Sequence, residues 1–293
     1  MEKELLYKYN NGNYEVLLYS DGTKIKRTEE KEFIADFPDS IDLKITDYCD
    51  GNCPMCHENS SVLGKHATFD APFLKTLKRG TELAVGGGNA LSHPSLIPFL
   101  EQMKEQGVVC NITVNERHLL KDYALVEKLI AKNLVYGVGV SINEFSPQAI
   151  DFLKTHENAV AHLICGVVDE REIDKLKGCK ALFLGYKLKG RGKEFFSPEV
   201  HKKIIRLRNF ITNITKNLLV TSFDNLALSQ LKIKTIIGED EWAKRFMGDD
   251  GESTMFIDLV QKNCASSSTS TLRYPLSSTI EECFSKVRKQ KTT

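Results

Sequence analysis

Short apolar segments recur along the middle of the chain at nearly constant spacing, and that rhythm restricts the fold more than any other feature. They are IDLKI (41–45), ELAVG (82–86), VCNITV (109–114), VYGVGVSI (135–142), VAHLICGV (160–167) and ALFLGYK (181–187). After the first, each begins roughly 25 residues past the last, room for a strand, a helix and two short loops. The intervening segments read as helices. SLIPFLEQMKEQG and LLKDYALVEKLIAKN carry apolar residues at helical spacing and end on Gly or Asn, while SPQAIDFLKT and SPEVHKKIIRLRNFITNI open with a Ser cap and Pro at the first helical position. Strand–helix units in series predict a parallel sheet with right-handed crossovers, either an open doubly wound sheet or a full or partial barrel. In both, chemistry gathers at the carboxyl ends of the strands.

The flanks read differently. Residues 4–28 predict a β-meander, with Asn-Gly and Asp-Gly as hairpin turns. After residue 217, NLLVTSF predicts a seventh strand, Asp224 caps NLALSQL, and TMFIDLV (254–260) predicts another strand. A Ser/Thr-rich loop (265–279) follows, an ordered lid or a connector, and Thr279 and Glu282 form a capping box for a last helix. The expected organisation is a hairpin element at 1–39, an α/β core at 40–216 and an extension at 217–293 that closes the open side of the core.

Just past the first strand lies ITDYCDGNCPMCHENS, with Cys49, Cys53 and Cys56 spaced C-x3-C-x2-C. The other five cysteines (Cys110, Cys165, Cys179, Cys264, Cys283) are scattered and read as small buried residues. No signal-peptide pattern opens the chain and no apolar run reaches the roughly 20 residues that span a bilayer, so a cytoplasmic protein with reduced thiols is expected. A formal net charge of +1 gives no argument for nucleic acid or an anionic membrane. Clustered thiolates select zinc, copper(I) or an iron–sulfur cluster. Structural zinc wants a fourth protein ligand. His57 is adjacent to Cys56, an awkward position from which to share one tetrahedral centre. A [4Fe–4S] cluster held by three cysteines instead leaves one iron open to a small molecule.

The C-x3-C-x2-C loop after the first strand resembles that of the radical S-adenosylmethionine (radical SAM) superfamily. The resemblance covers roughly residues 40–190 and implies an α/β partial (β/α)6 TIM-like barrel. It implies that Cys49, Cys53 and Cys56 hold a [4Fe–4S] cluster whose open iron binds S-adenosylmethionine. An external one-electron reductant of flavodoxin or ferredoxin type is implied as partner. Reductive cleavage then yields a 5′-deoxyadenosyl radical that abstracts hydrogen from the substrate, oxidoreductase or transferase chemistry carried by the cofactor. GGGNALSHP is similar to the family's Gly-Gly-Glu-Pro stretch, with Gly87 and Gly88 on the glycines and Asn89 on the glutamate; the amide still accepts hydrogen bonds. Ser141 and Asn143 stand where the family contacts the ribose or the methionine carboxylate. Gly166, in LICGVV, resembles the stretch beside the adenine, and Met55 replaces an aromatic residue that packs near it. LGYKLKGRG (184–192) resembles a basic, Gly-rich edge.

Other residues have two readings each. His57, Glu58 and Asn59 either hydrogen-bond around the cluster or line a solvated loop, and His93 either serves the site or caps a turn. Asn115 ends the third strand facing a cavity. Lys187, Lys189 and Arg191 bind an anionic substrate group or form a surface run, and Asp258 reaches the cavity from the last strand. Cys264 and Cys283 are too few for a second cluster. The substrate is a peptide, added to a hairpin edge strand, or a small metabolite under the Ser/Thr loop. The competing class is a non-enzymatic metal protein, zinc-stabilised or an electron carrier, with a fourth protein ligand beside the cysteines.

Overall fold

The computed structural model describes residues 3–288. The meander forms as expected: β1 (Leu5–Asn11), β2 (Tyr14–Tyr19) and β3 (Lys24–Arg27) make a three-stranded antiparallel sheet. Gly12 and Gly22 supply the positive φ (58° and 84°) that the two turns require.

The core runs β4 (Ser40–Thr46), β5 (Glu82–Gly87), α1 (Leu96–Glu105), β6 (Val109–Asn115), α2 (Glu116–Lys121), α3 (Tyr123–Ala131), β7 (Gly137–Ser141), α4 (Pro147–Thr155), β8 (Ala159–Ile164), β9 (Lys180–Leu184), α5 (Arg191–Phe195), α6 (Pro198–Thr215) and β10 (Val220–Phe223). Then come α7 (Asn225–Gln230), α8 (Ile233–Ile237), α9 (Glu239–Arg245), β11 (Thr254–Asp258), β12 (Asn263–Ala265), β13 (Tyr274–Pro275) and α10 (Ile280–Arg288). Ser146, Ser197 and Asp224 cap α4, α6 and α7 through their side chains. The Thr279–Glu282 box bonds in both directions. Two features depart from the sequence expectation. The β4–β5 and β8–β9 connections carry only 3-10 turns, Pro72–Thr76 and Ile173–Leu176. The helix expected over LLKDYALVEKLIAKN breaks at Asp122 (φ −112°, ψ 31°) into α2 and α3.

The large sheet has the order β10-β9-β8-β7-β6-β5-β4-β11-β12-β13. Strands β4 to β10 lie in sequence order and are all parallel, and β11 joins β4 in parallel on its other side. The sheet does not close: its edges are β10 and β13. The last segment therefore widens the sheet beyond β4 rather than completing a strand ring. The open side is bridged by side chains instead, Asn225 Nδ2 to Asp250 Oδ1 at 2.7 Å and Lys187 Nζ to Ser268 Oγ at 2.8 Å.

The hairpin sheet sits at the foot. Tyr136, Asn158 and Lys180, at the amino ends of β7, β8 and β9, donate to the carbonyls of Tyr19, Ser20 and Asp21 at 2.8, 3.1 and 3.1 Å. A buried network ties it to the connector. Asn11 Nδ2 donates to Asp39 Oδ1 (2.7 Å) and Phe37 O (2.8 Å), Tyr14 donates to Asp39 Oδ2 (2.7 Å), and Lys26 pairs with Asp39 at 2.7 Å. The hairpins are thus turned away from the carboxyl ends of the strands.

The strands alternate in character. Outward residues such as Leu43, Val85, Ile112, Val140, Leu163 and Phe183 are buried in the core under the helices. Inward positions of β4 to β7 are small or polar, among them Asp42, Ala84, Gly86, Asn111, Thr113, Gly137 and Gly139, while β8 and β9 add His162 and the larger Val160, Ile164, Leu182 and Leu184. A barrel interior is ordinarily filled by layers of bulky side chains. Here it is a cavity of about 790 Å³.

Candidate active site

The three clustered cysteines stand at the mouth of this cavity, on the irregular loop after β4. Thr46 Oγ1 accepts from the Tyr48 amide (2.9 Å), Cys49 N donates to Ser61 O (2.9 Å), and Cys56 N closes a turn on Cys53 O (3.2 Å). Cys49, Cys53 and Cys56 are half-buried, whereas the other five cysteines are buried. Burial pushes the Cys53 thiol pKa up, and the charges of Cys49 and Cys56 push it further. Clustered thiols of this kind suit a soft cationic centre. Hydrogen bonds from Gly51 N to Cys49 Sγ (3.3 Å) and from Asn115 Nδ2 to Cys53 Sγ (3.9 Å) reach two of the sulfurs.

The glycine-rich turn after β5 is joined to this loop. A Cβ on Gly87 would lie 2.4 Å from Thr46 O, and one on Gly88 2.1 Å from Tyr48 O, so no other residue fits either position; Gly87 also has φ +116°. Their neighbours bond directly, Gly88 N to Thr46 O and Asn89 N to Tyr48 O, each at 2.7 Å. Asn89 Nδ2 donates to Asp50 Oδ1 (3.3 Å), while its Oδ1 is buried without a partner. Asn89 does not itself line the cavity; Gly86, Gly87 and Gly88 do, so the wall beside the cysteine loop is bare backbone that leaves room for a ligand.

Ser141 ends β7 and lines the cavity, as do Met55 and Asn143. The Asn143 backbone is held by Glu116, a buried carboxylate that accepts from the amides of Asn143 (3.0 Å), Glu144 (2.9 Å) and Ser146 (2.6 Å). Burial raises the pKa of Glu116, but these hydrogen bonds outweigh it and the carboxyl stays below its ordinary value. Gly166 differs from the sequence expectation. Its φ is +81°, its Cβ position faces Val200 and Ile204 of α6, and it does not line the cavity; Ile164 and His162 line it from β8.

The basic edge after β9 does two different jobs. Arg191 is taken up by the cysteine loop: Nε donates to Cys53 O (3.1 Å), Nη2 to Ser60 O (3.0 Å), and its amide to Asn59 Oδ1 (2.7 Å). It positions that loop, where substrate binding was expected. Gly190 and Gly192 permit the approach, since a Cβ on them would sit 2.7 Å from His57 O and from Lys187 O. Lys187 does face the cavity, bonded to Ser268 Oγ and, at 3.4 Å, to His57 Nε2. Lys189 donates to the carbonyls of Ser268 and Ser270, so the Ser/Thr loop is packed over this edge.

Asp258 projects inward but is consumed by Lys44. That buried amine bonds Asp47 (2.6 Å), Glu58 (2.7 Å) and Asp258 (3.1 Å). Burial alone would lower its pKa; Glu58 and the other carboxylates raise it above the ordinary lysine value. His57 leans on Glu58 at 3.2 Å. His93 is a turn residue: Nε2 bonds Ala67 O (3.0 Å) and Nδ1 accepts from Ser95 N (3.1 Å).

Sequence reasoning missed Glu116, His162, the Lys44 cluster and a His118–Asp50 pair (2.9 Å) beside Cys49. The donor atoms of Cys49, Asp50 and His118 lie within 4.8 Å of one another, and Asp50 also takes Lys121 at 2.7 Å. The small and polar residues at alternate positions of β4 to β7 were the signal for the cavity.

The chain thus forms an open, largely parallel barrel with three cysteines on its first carboxyl-end loop. Three solved structures of Streptococcus suis SuiB share this fold. SuiB bound to precursor peptide SuiA has TM-score 0.54 and 15% identity over 79% of this chain and 60% of that one. SuiB bound to S-adenosylmethionine has TM-score 0.58 and 12% identity over 87% and 68%. A further SuiB structure has TM-score 0.54 and 12% identity over 90% and 81%. No protein-family model matches the sequence, and no curated protein matches it. Among the described residues, no helix is long and apolar enough to cross a membrane.

Proposed function

We propose that this protein is a radical SAM enzyme, cytoplasmic and with a single cluster. The observation that carries the reading is the placement of three half-buried thiols beside the Gly87–Gly88 turn at the mouth of a cavity. Cys49, Cys53 and Cys56 would hold a [4Fe–4S] cluster, and Gly87, Gly88, Asn89, Ser141, Asn143 and Met55 would receive S-adenosylmethionine. Bound there, these groups would supply radical chemistry that takes hydrogen from the substrate, with a flavodoxin- or ferredoxin-type protein as the source of the electron.

The chain's own residues prepare the site. Arg191 fixes the cysteine loop from outside, and Asn115 donates toward a cysteine sulfur, a contact that tunes a cluster's potential. Glu116 fixes the loop that carries Asn143. The hairpin turn shuts the foot of the cavity and limits access by water. Because the hairpins stand at the foot, their strands are poorly placed to present a peptide to the mouth. The substrate is a molecule, or one side chain of a peptide, small enough to share about 790 Å³ with S-adenosylmethionine; SuiB, bound to its precursor peptide, supports the second form.

One observation favours the other class of protein: Asp50 and His118 beside Cys49 are donors that zinc accepts. Metal analysis and turnover separate the two. Anaerobic reconstitution with iron and sulfide, reduction and addition of S-adenosylmethionine are expected to give 5′-deoxyadenosine, and Cys53→Ala to abolish it. Stoichiometric zinc in a colourless protein, with no S-adenosylmethionine-dependent spectral change after reconstitution, would overturn the proposal.

A further inference from the structure

Asp42 lies midway along β4 and points into the barrel. It lines the main cavity and also a second one, of about 310 Å³, that opens on the unclosed side between β10 and β11. Its side chain is exposed to the space of these cavities, and desolvation by the protein around it is the leading cause that raises its carboxyl pKa.

The other carboxylates around the two cavities are taken. Glu58 is held by Lys44 and Glu82 by Lys24. Asp21 is held by Lys3 and Asp39 by Lys26. Asp224 accepts from the amides of Gly185 and Ala227, and Asp250 accepts from Asn225. The lysines are equally committed: Lys180 is bonded to Asp21 O, and Lys187, whose charge Asp42 feels, is bonded to Ser268 and His57 without reaching the carboxylate. Asp42 has no hydrogen bond or ion pair among the described residues. A second unsatisfied group faces the same space, since His162 Nδ1 is enclosed without a partner. An unpaired carboxylate on a concave wall is open to a cationic partner, and the low-dielectric surroundings strengthen such a pair.

The geometry points to Asp42 as the recognition group for a cationic nitrogen, an amine or guanidinium borne by the substrate, at the junction of the barrel cavity and the lateral opening. This deepens the radical SAM reading by naming the substrate's charge class. The pairing would be a charge-assisted hydrogen bond. It places the positive end of the substrate deep in the barrel and leaves the remainder toward the cysteines or the open side.

The test is a binding measurement that does not require turnover. n-Butylammonium is titrated into reconstituted and as-purified protein by ligand-observed NMR, with n-butanol as the neutral control. Saturable binding of the cation is expected. Asp42→Asn should weaken it about tenfold or more while leaving n-butanol unchanged, and Asp42→Glu should retain it within a few-fold. Circular dichroism confirms that each variant is folded. Failure of n-butylammonium to saturate, or equal affinity in wild type and Asp42→Asn, overturns the inference; failure to form 5′-deoxyadenosine overturns only the enzymatic reading beneath it. A capped Ala-Lys-Ala peptide distinguishes the source: tighter binding than n-butylammonium assigns the amine to a peptide side chain, and equal binding assigns it to a free small amine.

Discussion

Each strand of the barrel carries two unlike surfaces. The outward face of β7 is Val138 and Val140, both buried in the core, and the inward face of the same strand is Gly137, Gly139 and Ser141 around the cavity. On β4 the outward residues are Ile41, Leu43 and Ile45, and the inward ones are Asp42 and Lys44. Stability therefore resides on one side of the sheet and chemistry on the other, and a residue's parity along its strand decides which of the two it serves. The inward face gives up the dispersion and burial that a filled barrel would gain, and the helices packed outside compensate.

Substitutions can test that division. Phe183 is fully buried on the outward face, stacked on Phe223 with centroids 5.4 Å apart. Phe183→Ala should destabilise by about 3–5 kcal/mol in urea denaturation while leaving cofactor binding per folded molecule intact. Lost cofactor binding in the folded fraction would break the division.

His162 gives the next effect, and it depends on pH. Burial pushes its imidazole down to about 4 from the ordinary 6.5. Between these values the unfolded chain binds more protons, so this contribution is whole above about pH 6.5, falls as pH drops, and is gone below about pH 4. It amounts to at most ~3 kcal/mol, because water in the cavity relieves part of the burial. His162→Gln should flatten the loss of stability between pH 7 and 4 by up to that amount.

Gly139 tests the inward face directly. A Cβ there would lie 2.2 Å from His162 Cε1, so the ring must move. We expect Gly139→Ala to lose about 1–3 kcal/mol, and His162→Ala in the same chain to restore most of it. Ser141→Ala should be the mildest. Stability should stay within about 0.5 kcal/mol, while affinity for S-adenosylmethionine falls in an equilibrium binding assay; a large stability loss would show that this end of the strand is structural.

The sequence revealed the elements whose signal is local. Alternating apolar strands, Asn-Gly and Asp-Gly turns, serine caps and the cysteine spacing each depend on neighbours in the chain, and all appear where expected. What escaped is decided by contacts far apart in sequence. Nothing in TMFIDLV says that it will pair with IDLKI, because parallel pairing is written in backbone hydrogen bonds. Arg191 reads as a free cation until the carbonyls of Cys53 and Ser60 are brought to it. Gly166 fitted a pattern, yet its positive φ serves a turn packed on α6. Glu116 carries no distinguishing signal in the sequence, and only the fold shows that three amides of another loop converge on it.

The position of β11 has a consequence for how the chain is made. Strands β4 to β10 can add one after another as they leave the ribosome, each beside its predecessor. The strand that leads into the cysteine loop gains its second neighbour only when Thr254–Asp258 returns from the far end of the chain. Such late, long-range pairing is slow and leaves an edge exposed meanwhile. The cysteine loop is thus the part of the molecule that waits longest to be finished, and its final geometry belongs after synthesis of the barrel rather than alongside it.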